Sequence, residues 1–252
     1  MALLSFRDVV CRRGGSVVLD GLTFDVSEGE TLVLLGRSGS GKTTALRLIN
    51  RLLDFDSGEI LFDGRDLKTH DAIELRRRMG YVIQEVGLLP HWTIARNVAL
   101  VPQLQQWPRE KTDARIRELL EQVDLPYENY AARYPHELSG GQRQRVGVAR
   151  ALAANPALLL FDEPFGALDP VTRHDMQQQF LKLREQYRTP SVFVTHDVAE
   201  ALILGTRIAV LDKGRLELLA TRDEFLGAQT SVARSFLATL PKPEDLRTKE
   251  PH

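Results

Sequence analysis

The sequence has one cysteine, Cys11, in 252 residues. A single thiol excludes a disulfide framework and a multi-cysteine zinc site, and it fits a reducing compartment. There is no excess of either charge: Lys+Arg 33 against Asp+Glu 34 leaves a net charge of -1. That balance counts against a protein held on nucleic acid by general phosphate attraction. No apolar run approaches the ~20 residues of a membrane span. The longest, 31–36 and 157–161, suit buried strands. The first eight residues, Met1 to Asp8, are too short and too soon charged for a signal peptide. A chain of this make-up that works at a membrane has to bind something already embedded there. Internal repeats and low-complexity blocks are also missing. What remains is an ordinary globular composition, 43% hydrophobic and 27% charged, long enough for one or two domains with a real core.

The first third alternates strand and turn signals. Leu4–Val10 reads as a strand, Gly14 and Gly15 as a turn, and Val17–Val26 as one or two further strands. Thr31–Leu35 is a continuous apolar run ending at Gly36, the pattern of a strand buried on both faces. A glycine-rich loop and a helical pattern over Lys42–Leu53 follow. Gly58–Asp63 reads as antiparallel β closed at Asp63 and Gly64, and Met79–Gln84 as a short strand. From about Leu88 to Ala153 the pattern is helical, with Ile116, Leu119, Leu120 and Val123 on one face. Strands return at Ala157–Asp162, Ser191–Thr195, Arg207–Asp212 and Arg215–Ala220. Helices over Pro170–Tyr187 and Asp197–Leu204 separate the first three of these. This alternation predicts a mainly parallel sheet with helices on both faces. The proline-rich, charged tail 241–252 reads as disordered.

Gly36-Arg37-Ser38-Gly39-Ser40-Gly41-Lys42-Thr43 matches G-x-x-x-x-G-K-[ST] between a buried strand and a helix. Glycines there let successive backbone N–H groups point at phosphate oxygens, and the helix start adds its dipole. Lys42 can reach the β- and γ-phosphates, and the Thr43 hydroxyl can ligate Mg²⁺. Leu158–Glu163 is an apolar strand ending in two carboxylates. Alternation sends the two side chains different ways, so they can take different tasks. Asp162 would hold Mg²⁺, and Glu163 would act as general base on water. A second helix start suited to anions is Leu138-Ser139-Gly140-Gly141-Gln142, where Ser139 is a candidate N-cap.

Taken together these segments resemble the ATP-binding subunit of the ATP-binding-cassette (ABC) transporter family, over roughly residues 3 to 238. Gly36–Thr43 is similar to its Walker A motif, Leu158–Glu163 to Walker B, and Leu138–Gln142 to its signature sequence. Gln84 sits at the Q-loop position. Ala167-Leu168-Asp169 resembles the D-loop, and Thr195-His196-Asp197 the switch-histidine loop. The order along the chain is also the family's.

The resemblance implies an α/β fold: a P-loop NTPase core with a mainly parallel sheet, an antiparallel β subdomain and a helical subdomain. Residues 1–240 would form a single ABC ATPase domain, with core and β subdomain from 1–85 and 154–240 and the helical part at about 86–153. ATP and Mg²⁺ are the implied cofactors. Gly36, Ser38, Gly39, Ser40, Gly41, Lys42, Thr43 and Thr44 would hold the phosphates. Thr43, Gln84 and Asp162 would hold the metal. Glu163, His196 and Gln84 would be catalytic, with His196 on the γ-phosphate. Two cassettes, as a homodimer or with a paired relative, would sandwich ATP head to tail. Ser139, Gly140, Gly141, Gln142 and Asp169 would then contact the nucleotide across the interface. The family usually stacks an aromatic on adenine before the first hairpin. That place falls here on Arg12 or Arg13, so an arginine would stack instead and strict adenine selectivity is not expected.

The resemblance further implies partners: integral membrane permease subunits contacted through Gln84 and Val86–Thr93, and a substrate-binding protein acting indirectly. The chain would sit peripherally on the cytoplasmic face of the cell membrane, with no nucleic acid involved. Exporters usually fuse membrane spans to this domain, and none occurs in this sequence. The stretches Tyr134–Leu138 and Phe165–Thr172 resemble bacterial importers. Ile83–Ile94, Asn97–Pro102 and Trp107 are similar to subunits importing glycine betaine, choline and other osmoprotectants. Trp92 and Trp107 are expected to pack or dock rather than cage an amine. Many of those subunits carry a regulatory extension of CBS domains, and sensing through such a module is not expected here. Other readings are an importer of amino acids or another small polar solute, and a soluble ABC ATPase acting on nucleic acid or ribosomes. The single cassette and neutral charge count against the last. Intact Lys42, Asp162, Glu163 and His196 count against a module that binds without turnover.

Overall fold

The computed structural model describes residues 2–84 and 86–240. The tail read as disordered lies outside the described residues. The chain opens with β1 (Ala2–Arg13), β2 (Ser16–Ser27) and β3 (Thr31–Gly36), then α1 (Lys42–Ile49), β4 (Ser57–Phe62) and β5 (Arg65–Asp66). Next come α2 (Ala72–Arg77) and β6 (Met79–Ile83). Five helices follow: α3 (Ile94–Val98), α4 (Leu100–Leu104), α5 (Arg109–Gln122), α6 (Tyr127–Tyr130) and α7 (Gly140–Leu152). The rest is β7 (Leu158–Asp162), α8 (Pro170–Tyr187), β8 (Ser191–Thr195), α9 (Val198–Leu204), β9 (Arg207–Asp212), β10 (Arg215–Thr221), α10 (Arg222–Leu226) and α11 (Ser231–Leu237).

Two sheets result. One is antiparallel, with strand order β2-β1-β4-β5; the other has the order β10-β9-β3-β8-β7-β6 and is parallel except for its β9–β10 edge. The apolar runs explain the second sheet. Val33 and Leu35 of β3 join one core with Phe161, Phe193, Ile208 and the helices. Leu32 and Leu34 of the same strand join a second core with Leu158, Leu160, Val192, Val194, α1 and the antiparallel sheet. Period-2 alternation thus feeds two cores, so every residue of β3 is buried. The expected α/β architecture is present.

The structure resolves one open alternative, shifts one boundary and adds three helices. Of the one or two strands read over 17–26, the structure has one, β2, carried through Gly21 at φ 67°. The first helix ends at Ile49 rather than Leu53, because Arg51 takes a left-handed φ of 48° and Leu52 N–H turns back to the Arg47 carbonyl at 2.8 Å. Helices α2, α10 and α11 had no counterpart in the periodicity.

Candidate nucleotide site

Strands β3, β6, β7 and β8 run parallel, so their carboxyl ends share one edge of the sheet. Ligands in open α/β sheets bind at that edge. Here it gathers the loop after Gly36, the loop starting at Gln84, the Asp162–Glu163 pair and Thr195–His196. The pairing Ile83↔Asp162 sets Gln84 beside the acids.

The loop 36–41 is built around close backbone approach. A Cβ on Gly36 would lie 2.4 Å from Ser40 Oγ and 2.5 Å from the Leu211 carbonyl. Gly41 has φ 100°, which only glycine adopts without strain, and it serves as the N-cap of α1. Arg37, Ser38 and Gly39 are exposed, whereas Ser40 and Gly41 are buried. Lys42 is 4% exposed, and its Nζ donates to the carbonyls of Gly36 at 2.8 Å and Arg37 at 2.9 Å. Burial lowers its pKa, opposed by the charges of Glu163 and Asp162. Ser40 Oγ is buried without a hydrogen-bond partner. A buried ammonium and an orphaned hydroxyl around exposed backbone N–H groups are what a polyphosphate would satisfy. Thr44 follows on α1, half-buried.

Thr43 Oγ1 donates to Asp162 Oδ1 at 2.9 Å. Two of the three residues expected to hold Mg²⁺, Thr43 and Asp162, are therefore neighbours, and both offer hard oxygens suited to that ion. Among the described residues no three His, Cys, Asp or Glu side chains converge on a metal site. Mg²⁺ fits this donor set only if phosphate and water supply the remaining oxygens, the usual way it is held. Burial raises the Asp162 carboxyl above its ordinary pKa, and the Thr43 hydrogen bond opposes this. Tyr81 Oη reaches Asp162 Oδ2 at 3.4 Å, and burial pushes its phenol up to about 12, so it stays a neutral donor.

Glu163 is the first residue past β7 and has a left-handed φ of 46°. Strain of this kind in a non-glycine residue gathers at functional sites. Its Oε2 lies 3.0 Å from His196 Nδ1. Gln84 reaches the same spot: its Nε2 is 3.4 Å from where a Cβ on Gly166 would be, and Glu163 Oε2 is 3.9 Å from that point.

The 139–142 segment forms its own unit. Ser139 N-caps α7 through a capping box: its hydroxyl accepts from Gln142 N–H at 3.3 Å, and Gln142 Oε1 accepts from Ser139 N–H at 2.9 Å. Gln142 Nε2 also donates to Tyr130 Oη. Gly140 is exposed, and Gly141 packs under Thr172 of α8. Asp169 N-caps α8, accepting from Thr172 N–H at 3.0 Å, and hydrogen bonds from the Thr172 hydroxyl and then its N–H lower its pKa. Among the described residues no hydrogen bond joins 139–142 to 36–44. Arg13 donates to the carbonyls of Arg12 and Asp54, so its guanidinium lies against its own strand and the 54–56 loop.

Several polar groups around the site carried no sequence signal of their own. Tyr81 follows from the register of β6 on β7. The Thr195 hydroxyl donates to buried Glu200 at 2.7 Å, and Arg173 stands 3.7 Å from Asp197 and 3.9 Å from Glu200. These groups fix the loop that carries His196.

A family model described as "ABC transporter" matches residues 19–166. This chain belongs to that family. It is 51% identical over 214 residues to the glycine betaine/carnitine/choline transport ATP-binding protein OpuCA of Bacillus subtilis, covering 85% of this ABC chain and 56% of that protein. It is 50% identical over 214 residues to the glycine betaine uptake system ATP-binding protein YehX of Escherichia coli, covering 85% of this chain and 69% of that one. The chain thus spans little more than half the length of the first of these relatives. Among solved structures, the dimeric ATP-binding cassette MJ0796 in a post-hydrolysis state bound to ADP and Pi superposes with a TM-score of 0.76 at 34% identity. That match covers 87% of this chain and 98% of the other.

Proposed function

We propose that this ABC chain is the ATP-hydrolysing, energy-coupling subunit of a bacterial importer for an osmoprotectant such as glycine betaine, choline or a related quaternary amine. The observation that carries the catalytic part is the convergence of Lys42, Thr43, Asp162, Glu163 and His196 at one sheet edge. The transport names of relatives at about half identity support the cargo.

In this reading Lys42 exchanges its two loop carbonyls for phosphate oxygens, and the Ser40 hydroxyl gains the partner it lacks. The backbone N–H groups of 38–43 surround the phosphates. Thr43 and Asp162 would hold Mg²⁺, which neutralises phosphate charge when bound. Glu163 takes a proton from the attacking water onto its carboxylate. The water oxygen bonds to the γ-phosphorus as the bond to ADP breaks. His196, with Nδ1 3.0 Å from Glu163 Oε2, would in its doubly protonated form donate from Nε2 to a phosphate oxygen.

The 139–142 segment is a built anion-binding helix start that its own chain's phosphate loop does not use. A second cassette would place its nucleotide there, with Ser139, Gly140, Gly141 and Gln142 on the γ-phosphate and Asp169 alongside. The dimeric cassette that this chain resembles supports that arrangement. Residues 86–153 would move as a subdomain, and the cassette would rest on permease subunits through 84–93. Among the described residues no helix is long and apolar enough to cross a membrane, so contact with a membrane would run through those partners.

Uptake of labelled glycine betaine into cells deleted for this gene tests the proposal. Restoration by wild type and not by Glu163→Gln is expected, and more strongly at high osmolarity. Equal uptake with either, or with neither, contradicts the cargo.

A further inference from the structure

Gln142 is held from outside its own helix. Its Oε1 accepts from Ser139 N–H at 2.9 Å, and a backbone N–H can only donate, so the carboxamide has one orientation that fits. Nε2 then faces Tyr130 of α6 and donates to its Oη at 3.1 Å. Among the described residues no other hydrogen bond reaches that hydroxyl. The ring behind it is fixed as well. The Arg133 guanidinium lies over the ring, 4.6 Å from its centroid, and Arg133 Nε donates to the Asn129 carbonyl at 2.8 Å. The chain just past Tyr130 is pinned to the start of α3. There Ala95 N–H donates to the Ala131 carbonyl at 3.0 Å, and Ile94 N–H to the Arg133 carbonyl at 2.8 Å. Tyr130 is half-buried, so its hydroxyl has water as an alternative partner, and a phenylalanine would cover the same apolar area. What the hydroxyl adds is its hold on Gln142.

We infer that Tyr130 is a positioning residue for the nucleotide bound by a second cassette, and that it acts through Gln142. The inference rests on the sandwich dimer proposed above, in which Ser139, Gly140, Gly141 and Gln142 meet that nucleotide's γ-phosphate. Their N–H groups and hydroxyl converge only while the first turn of α7 keeps its shape, and the capping box keeps it. The Ser139 half of the box is long, at 3.3 Å, so the box leans on the Gln142 half. Tyr130 anchors that half. With Nε2 tied, the carboxamide cannot turn its oxygen away from Ser139 N–H without losing a second hydrogen bond. The anion site is thus preformed in the free chain, which lowers the ordering cost of closing on the second nucleotide. Tyr130 itself touches no nucleotide in this arrangement.

The test is a double-mutant cycle in the full chain carrying Glu163→Gln, read by sedimentation equilibrium with MgATP. Tyr130→Phe removes only the hydroxyl. It is expected to raise the dimer dissociation constant about 25-fold, about fivefold at each of two symmetric sites, the worth of one neutral hydrogen bond apiece. ATP affinity of the monomer, measured with labelled ATP at protein concentrations too low for the dimer, stays within about twofold. In the Gln142→Ala background Tyr130→Phe changes nothing further. Without nucleotide, amide exchange rises at 139–142 and stays unchanged at 36–44, a pattern that general destabilisation does not give. Arg133→Gln, which loosens the ring and keeps the hydroxyl, is a second variant, expected to move the same readouts in the same direction by less. A dissociation constant for Tyr130→Phe within about twofold of its parent overturns the inference. So does the same fold-loss with and without Gln142, or unchanged exchange at 139–142. A Glu163→Gln chain with Tyr130 intact that binds ATP and stays a monomer overturns instead the dimer reading beneath it, and the inference falls with that reading.

Discussion

Lys42 rests on two carbonyls of its own loop, and burial disfavours its charge. Phosphate is a better partner for it than either carbonyl. Lys42→Ala is expected to weaken ATP binding by roughly tenfold or more, read by calorimetric titration; an unchanged Kd contradicts the phosphate-loop assignment. In the proposed mechanism Glu163 takes no such binding part. Glu163→Gln should keep ATP affinity and lose about 10²-fold or more in kcat, the worth of a general base. Glu200 offers a pH test. It is 4% exposed, and burial raises its carboxyl above the ordinary 4.5, with the Thr195 hydroxyl and the Arg173 charge opposing. The folded chain therefore holds this proton to higher pH than the unfolded chain. The group's contribution to stability is best below 4.5 and falls as pH rises towards the elevated folded value. Glu200→Gln removes that slope. Urea midpoints of wild type and variant should diverge in the variant's favour across this window, and parallel curves contradict it.

At the level of elements, the two N-caps at the proposed interface do structural work before any nucleotide arrives. Gly141→Ala would set a Cβ 2.5 Å from Thr172 Cγ2 and force α7 from α8. A loss of about 1–3 kcal/mol in urea unfolding is expected from such overpacking; a neutral substitution would show that the two helices are not seated as described. The central strands were readable because burial on both faces leaves continuous apolar runs, as in Thr31–Gly36 and Leu158–Phe161. Helix α8 was readable from Asp169 and Pro170 at its start. Helices α10 and α11 escaped because five and seven residues give too little periodicity. Even so, Thr221 and Glu224 form a capping box that marks the first of them. The roles proposed for Thr43, Asp162, Glu163 and His196 came from local motifs and family resemblance. Their meeting point came only from the parallel register, since Thr43 and Asp162 are 119 residues apart. The hold of Tyr130 on Gln142 was illegible, because a tyrosine 12 residues upstream gives no sign of where its hydroxyl will land.

On the scale of the whole molecule, the chain presents a phosphate loop and a helix start suited to a γ-phosphate, with no hydrogen bond between them among the described residues. In the arrangement proposed above, two copies set head to tail would use both on one nucleotide. ATP would then be buried at the interface and hold the copies together until Glu163 promotes hydrolysis. Sedimentation of Glu163→Gln with and without MgATP tests this most directly. A shift from monomer to dimer that needs ATP, and that Lys42→Ala or Ser139→Arg abolishes, is the predicted result. A variant that binds ATP and remains a monomer at every concentration would contradict the account.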